Sequence, residues 1–149
     1  NTSYAIIPDT KLRQRYKIEQ NRSGITNGNP FGIEALISAY SEGAPWLEQL
    51  KEHLLSNITY VNTFLQEQHI PIQAVPTEAT FLMWLDCKGL GLSHDKLMDF
   101  FVHKAKLGLN DGMSFGGTGE GFMRLNVGIS REVLKEAMLR LLEAYKEIS

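Results

Sequence analysis

Residues 112–128 read GMSFGGTGEGFMRLNVG, a glycine-rich turn that runs into a short apolar strand with one arginine inside it. Gly116, Gly117, Gly119 and Gly121 crowd together here, and a missing Cβ permits left-handed backbone or close approach of a neighbour. Period-two alternation sets Phe122, Arg124 and Asn126 on one face and Met123, Leu125 and Val127 on the other. An unpaired buried guanidinium is costly, so Arg124 must reach water, pair with a structural acid or take an anion. Its planar fork suits a carboxylate or phosphate held bidentately. The loop lacks the GxxxxGK[ST] order of a phosphate-binding loop and leads into a strand, so no helix N-terminus follows it. The residues alone therefore give an anion-binding candidate, Arg124, and no reaction.

Outward from this stretch the periodicities place the remaining elements. Ser130 is positioned to cap a last helix whose Val133, Leu134, Ala137, Met138, Leu141, Leu142 and Tyr145 line one face. Upstream, Asn110-Asp111-Gly112 is a turn signal after a brief strand at 107–109. Ser93 caps a helix over Leu97, Met98, Phe100, Phe101 and Ala105. The run ATFLMWL at 79–85 is a central strand, and 70–75, broken by Pro71 and closed by Pro76, an edge strand. Residues 70–149 thus form a two-layer α+β domain with two helices on one face of a sheet. Pro45 opens a helix to Gln68 whose Leu47, Leu50, Leu54, Ile58, Val61 and Leu65 make one stripe along about 36 Å. That helix reads as a strut between two bodies, with a coiled-coil seam as the alternative. Residues 32–41 and 11–20 carry shorter helical patterns, the latter capped by Asp9. Residues 4–7, Tyr-Ala-Ile-Ile, read as a strand covered on both faces. Nothing nearby supplies its partners, which predicts that the chain is a piece of a longer protein.

Composition excludes several classes. With 149 residues, 43% of them apolar, the chain can bury a core, and a formal charge of -2 without long runs of one sign argues against nucleic acid. No apolar run is long enough for a membrane span, and no signal peptide opens the chain. One cysteine, Cys87, allows no internal disulfide and fits a reducing cytoplasm. His53, His69, His94 and His103 are scattered, so no metal site is expected and each reads as solvated.

Taken in order, the SYAIIPD segment, the NGNP loop, the strut helix opening near a Trp-Leu pair, the TFLMWL strand and above all FGGTGEGFMRLN at 115–126 resemble the C-terminal part of class I/II aminotransferases dependent on pyridoxal phosphate. The branch most resembled is that of the cystathionine β-lyase-type C-S lyases, and the likeness covers essentially the whole chain. It implies a fold type I subunit: residues 1–31 as a remnant of the large cofactor domain, 32–69 as connecting helices and 70–149 as the small C-terminal α+β domain. It also implies a cytoplasmic homodimer, an amino-acid substrate and pyridoxal 5'-phosphate as cofactor. Arg124 stands where the family's arginine grips the substrate α-carboxylate. Asn27 and Asn29 fall in a loop that in related enzymes reaches the neighbouring subunit's site, against the plainer reading of a turn built for positive φ.

One part of the pattern is missing. In the family the lysine that holds the cofactor precedes the SYAII-type strand, so here it would lie upstream of Asn1, together with the phosphate cradle. Lys11, Lys17, Lys51, Lys88, Lys96, Lys104 and Lys106 fall on polar helix faces or in turns. The expectation is a chain without catalytic residues or bound cofactor of its own, inactive alone. The resemblance leaves transamination and β-elimination both open. The alternative is a stand-alone module that binds an anion through Arg124 or assembles through its long helix.

Overall fold

The computed structural model describes residues 2–24 and 28–148. Two compact units divide the chain, Asn1–Gln49 and Leu50–Ser149.

The first unit is helical. Helix α1, Thr10–Arg22, starts at Asp9, whose carboxylate accepts the Leu12 amide at 2.6 Å, satisfying one of the donors that a helix start leaves orphaned. Helix α2, Pro30–Glu42, is capped in the same way by Asn29, which accepts from the Phe31 amide at 3.1 Å. Neither helix contains a buried residue. The strand expected at 4–7 does not form: residues 2–9 are irregular, with Tyr4 58% and Ile6 81% exposed. A strand exists only through the ladder it makes with a neighbour, and no described segment pairs with this one. Tyr4 instead packs edge-on against Tyr40, ring centroids 5.9 Å apart.

Helix α3, Ala44–Glu67, crosses the division between the units. Its expected stripe is wet at Leu47, half-buried at Leu50, Leu54 and Ile58, and fully buried at Val61 and Leu65. The stripe therefore works as core only in its second half.

The second unit is a four-stranded antiparallel sheet, β1 Gln73–Ala74, β2 Leu82–Asp86, β3 Asn110–Asp111 and β4 Phe122–Asn126, in the order β1-β2-β4-β3. Met83, Leu85, Met123 and Leu125 point to the buried face, where they join Val61 and Leu65 of α3, Leu97 of helix α4 (His94–Asp99) and Leu134, Met138 and Leu141 of helix α5 (Arg131–Lys146). The two helices expected from residues 70–149, α4 and α5, build the inner layer together with the second half of α3. Burial of each Leu or Met side chain contributes about 1.5–3 kcal/mol. Helix α4 runs on into a π-helical turn at Phe100–Lys104, closed by the Ala105 amide on the Phe100 carbonyl at 2.8 Å. Both phenylalanines of that turn enter the core, ring centroids 5.2 Å apart.

Two strands sit differently from their sequence signals. The edge strand shrinks from 70–75 to Gln73–Ala74, because Pro71 and Pro76 cannot donate to a ladder. The strand expected at 107–109 lies at Asn110–Asp111 instead: the Leu107 amide is taken by the Phe101 carbonyl at 2.7 Å, so pairing begins later.

A polar tie joins α3 to the segment after β4. Asn57, fully buried, donates through Nδ2 to the carbonyls of Val127 at 2.8 Å and Ile129 at 3.0 Å. His53 Nε2, 2.8 Å from the Ile129 oxygen, carries its proton on that nitrogen. His53 is therefore a structural donor, not the solvated residue expected. Cys87, just past β2, is 1% exposed, and burial pushes its thiol up to about 12. Its amide donates to the Gly121 carbonyl at 2.9 Å.

Candidate functional site

Arg124 lies at the centre of the sheet face that the helices leave open. Its cross-strand neighbours are Trp84 on β2 and Asn110 on β3. Nη2 donates to Asn110 Oδ1 at 3.1 Å, and the guanidinium carbon rests 4.4 Å above the Phe115 ring. Its Nε is buried without a hydrogen-bond partner. None of the described acids pairs with it, so of the two plain readings the structural-acid one drops out. The aromatic bed continues sideways: Trp84 meets Phe115 edge-on at 5.6 Å and stacks on Phe122 at 5.7 Å, while Lys88 Nζ sits 4.4 Å over Phe122. Two cations thus flank a row of three rings, an arrangement that favours positive charge over the ring faces.

The glycine-rich loop makes this possible. It winds through two 310 turns, Gly112–Phe115 and Gly117–Gly119. A Cβ on Gly119 would collide with the Gly112 carbonyl, so the two turns can cross only as bare backbone. The first turn is capped by Asp111, which accepts the Met113 amide at 2.8 Å, and this sets Phe115 under Arg124. Behind the loop, Gly121 donates to His94 Nδ1 at 3.4 Å, and His94 Nε2 lies 3.0 Å from Asp111 Oδ1. That second contact is at ion-pair distance but off the line of a directed hydrogen bond. His94 was expected in solvent; it is a largely buried brace holding the loop to α4. Ser93, expected to cap α4, stands at the N-cap position but makes no side-chain cap hydrogen bond, and a lone histidine beside it carries no sequence signal for the brace.

Concavity does not mark the site. One concavity, about 780 Å³, lies between the end of α3 and residues 70–76, and another of about 380 Å³ lies between Lys88, His94, Thr118 and Glu120. Arg124 lines neither. Among the described residues no cluster of His, Cys, Asp and Glu could hold a metal ion, and no helix is long and apolar enough to cross a membrane. Asn29 is exposed and spends its side-chain oxygen on the α2 cap. Asn27 lies outside the described residues.

No family model matches the chain. Individual proteins do: it is 34% identical over 139 residues, 93% of its length, to the cystathionine beta-lyase PatB of Bacillus subtilis. Its fold matches cystalysin of Treponema denticola, which contains pyridoxal 5'-phosphate, with a TM-score of 0.86 at 30% identity over 97% of this chain. In sequence and in fold the chain matches part of the fold type I pyridoxal-phosphate enzymes. It is similar also to the protein MalY of Escherichia coli, 29% identical over 98% of the chain, and to the pyridoxal-phosphate-bound C-S lyase of Staphylococcus hominis, TM-score 0.79 at 25% identity over 95% of the chain. It spans only 36% of PatB, 38% of MalY, 36% of cystalysin and 37% of the S. hominis lyase. Within this family the α+β sandwich and the fragmentary coverage agree with a C-terminal part.

Whether the cofactor could sit on these residues can be tested on the lysines. Every described lysine is exposed, and a lysine that anchors a pyridoxal ring needs a desolvated seat. No described lysine therefore fits as the cofactor's anchor. What they offer is a fork for an anion.

Proposed function

We propose that the chain is the C-terminal part of a pyridoxal-phosphate enzyme acting on amino acids, a C-S lyase or an aminotransferase, and that Arg124 grips the substrate α-carboxylate. The observation that carries this is the Arg124 fork, unpaired with any described acid and laid on aromatic rings on an open sheet face. A charge-assisted hydrogen bond to such a fork contributes about 1.5–3 kcal/mol. The kinship with PatB and cystalysin supports the cofactor and the substrate class.

In this reading 1–31 belongs to a cofactor domain, 32–69 links and 70–149 is the small domain of a cytoplasmic homodimer. Asn29 stands on the loop that faces the neighbouring subunit. The catalytic lysine comes from outside the chain, and the 149 residues alone do not catalyse. Arg124 orients the amino acid by its carboxylate whichever bond is broken, so it does not choose between elimination and transamination.

The test is to express the gene that encodes these residues and record intact mass and visible absorbance. A product much heavier than this chain, yellow and bleached by borohydride, is expected. Pyruvate and ammonia from cystathionine would mark a lyase; amino transfer to a keto acid would mark an aminotransferase. A colourless product of this chain's own mass would overturn the reading in favour of a stand-alone anion-binding or assembly module.

A further inference from the structure

An arginine side chain that is free in water loses rotamer freedom when a ligand fixes it. Arg124 is already fixed. Asn110 holds Nη2 from one side, Phe115 carries the guanidinium plane, and Trp84 braces Phe115 from the edge. Phe115 itself is 53% exposed, so the ring that carries the guanidinium is reachable from solvent. Asn110 is neutral: it orients the fork and leaves the positive charge for a ligand, where a carboxylate at the same point would cancel it. Nε is sealed from solvent, so a ligand must approach the end of the fork, through the Nη donors.

Resting on the reading of Arg124 as carboxylate clamp, we propose that Asn110 and Phe115 are positioning residues that pre-orient the fork end-on. They sharpen its preference for an acid over the corresponding amide. Neither touches the ligand's reacting atoms; both act through Arg124.

The experiment titrates propionate and propionamide into the full gene product, labelled with ¹⁵N-arginine, and follows the Arg124 resonances. Native protein should prefer propionate. Phe115→Leu should weaken propionate about fivefold and leave propionamide unchanged, with Phe115→Tyr restoring the native value. Asn110→Asp, which places a competing carboxylate on the fork, should weaken propionate by about tenfold or more. Propionate affinities within twofold of native in both Phe115→Leu and Asn110→Asp, or equal losses for acid and amide, would overturn the positioning role. Arg124→Ala, which has no Arg124 resonance and is read instead by calorimetric titration of propionate and propionamide, separates the two levels. If it abolishes the preference while Phe115→Leu and Asn110→Asp do not reduce it, positioning alone fails. If it keeps the preference, the clamp reading fails and positioning falls with it.

Discussion

Arg124 and Asn57 show two ways in which one polar side chain can govern a fold of this size. Arg124 is held but not neutralised, whereas Asn57 is spent entirely on structure. Replacing Asn57 with Ala would leave the buried Val127 carbonyl without its side-chain donor and the Ile129 carbonyl with His53 alone, so destabilisation of about 2 kcal/mol is expected, read from urea midpoints. A third residue makes stability depend on pH. Cys87 has its thiol raised to about 12 by burial. The folded state therefore prefers the protonated form, and the stability this lends is complete below the unfolded thiol's range and lost as pH rises towards 12. Urea midpoints should fall more steeply above pH 9 in the native protein than in Cys87→Ala. Equal slopes would mean the thiol does not contribute.

At the scale of elements, the glycine loop and the helix caps carry the clearest expectations. Gly119→Ala would force the two 310 turns apart and shift Phe115 from under Arg124. Loss of carboxylate preference should therefore accompany lost stability. A variant that melts early yet binds propionate as before would show the crossing to be irrelevant to the fork. Ser130, whose hydroxyl accepts the Val133 amide at 3.4 Å, caps α5; Ser130→Ala should cost about 1 kcal/mol in thermal unfolding. The caps at Asp9 and Ser130, the inner half of the α3 stripe and the alternation of β4 were legible in the sequence because each is a local pattern, whereas Ser93 makes no side-chain cap hydrogen bond. The strand expected at 4–7 is unpaired among the described residues for a related reason. Apolar character says that a segment wants cover, but a strand is a relation between two segments. Likewise His53 and His94 gave no hint of their roles, since their partners are backbone groups 76 and 27 residues away. Arg124 was legible as a fork; Phe115 and Asn110 were not, because nothing in the spacing says which loop residue lands on which ring face.

For the whole molecule, the two compact units differ in how much they bury. The first two helices bury nothing, while the second unit holds every residue of the core. Limited proteolysis of the chain should cut within residues 2–42 first and leave a resistant fragment starting near Leu50. Cleavage within the sheet at comparable rates would contradict that division. The exposed Tyr4, Ile6, Phe31 and Tyr40 also make the isolated chain prone to associate, which sedimentation at rising concentration would reveal.

The chain's single thiol doubles as a clock. Cys87 sits where the end of β2 is tied to Gly121, sealed from reagents in the closed form. Its rate of alkylation therefore counts how often that corner of the sheet comes apart, with no probe introduced. Bound carboxylate that steadies the loop next to it should slow the clock, so one mass spectrum taken over time would register occupancy at Arg124 through chemistry at a different residue.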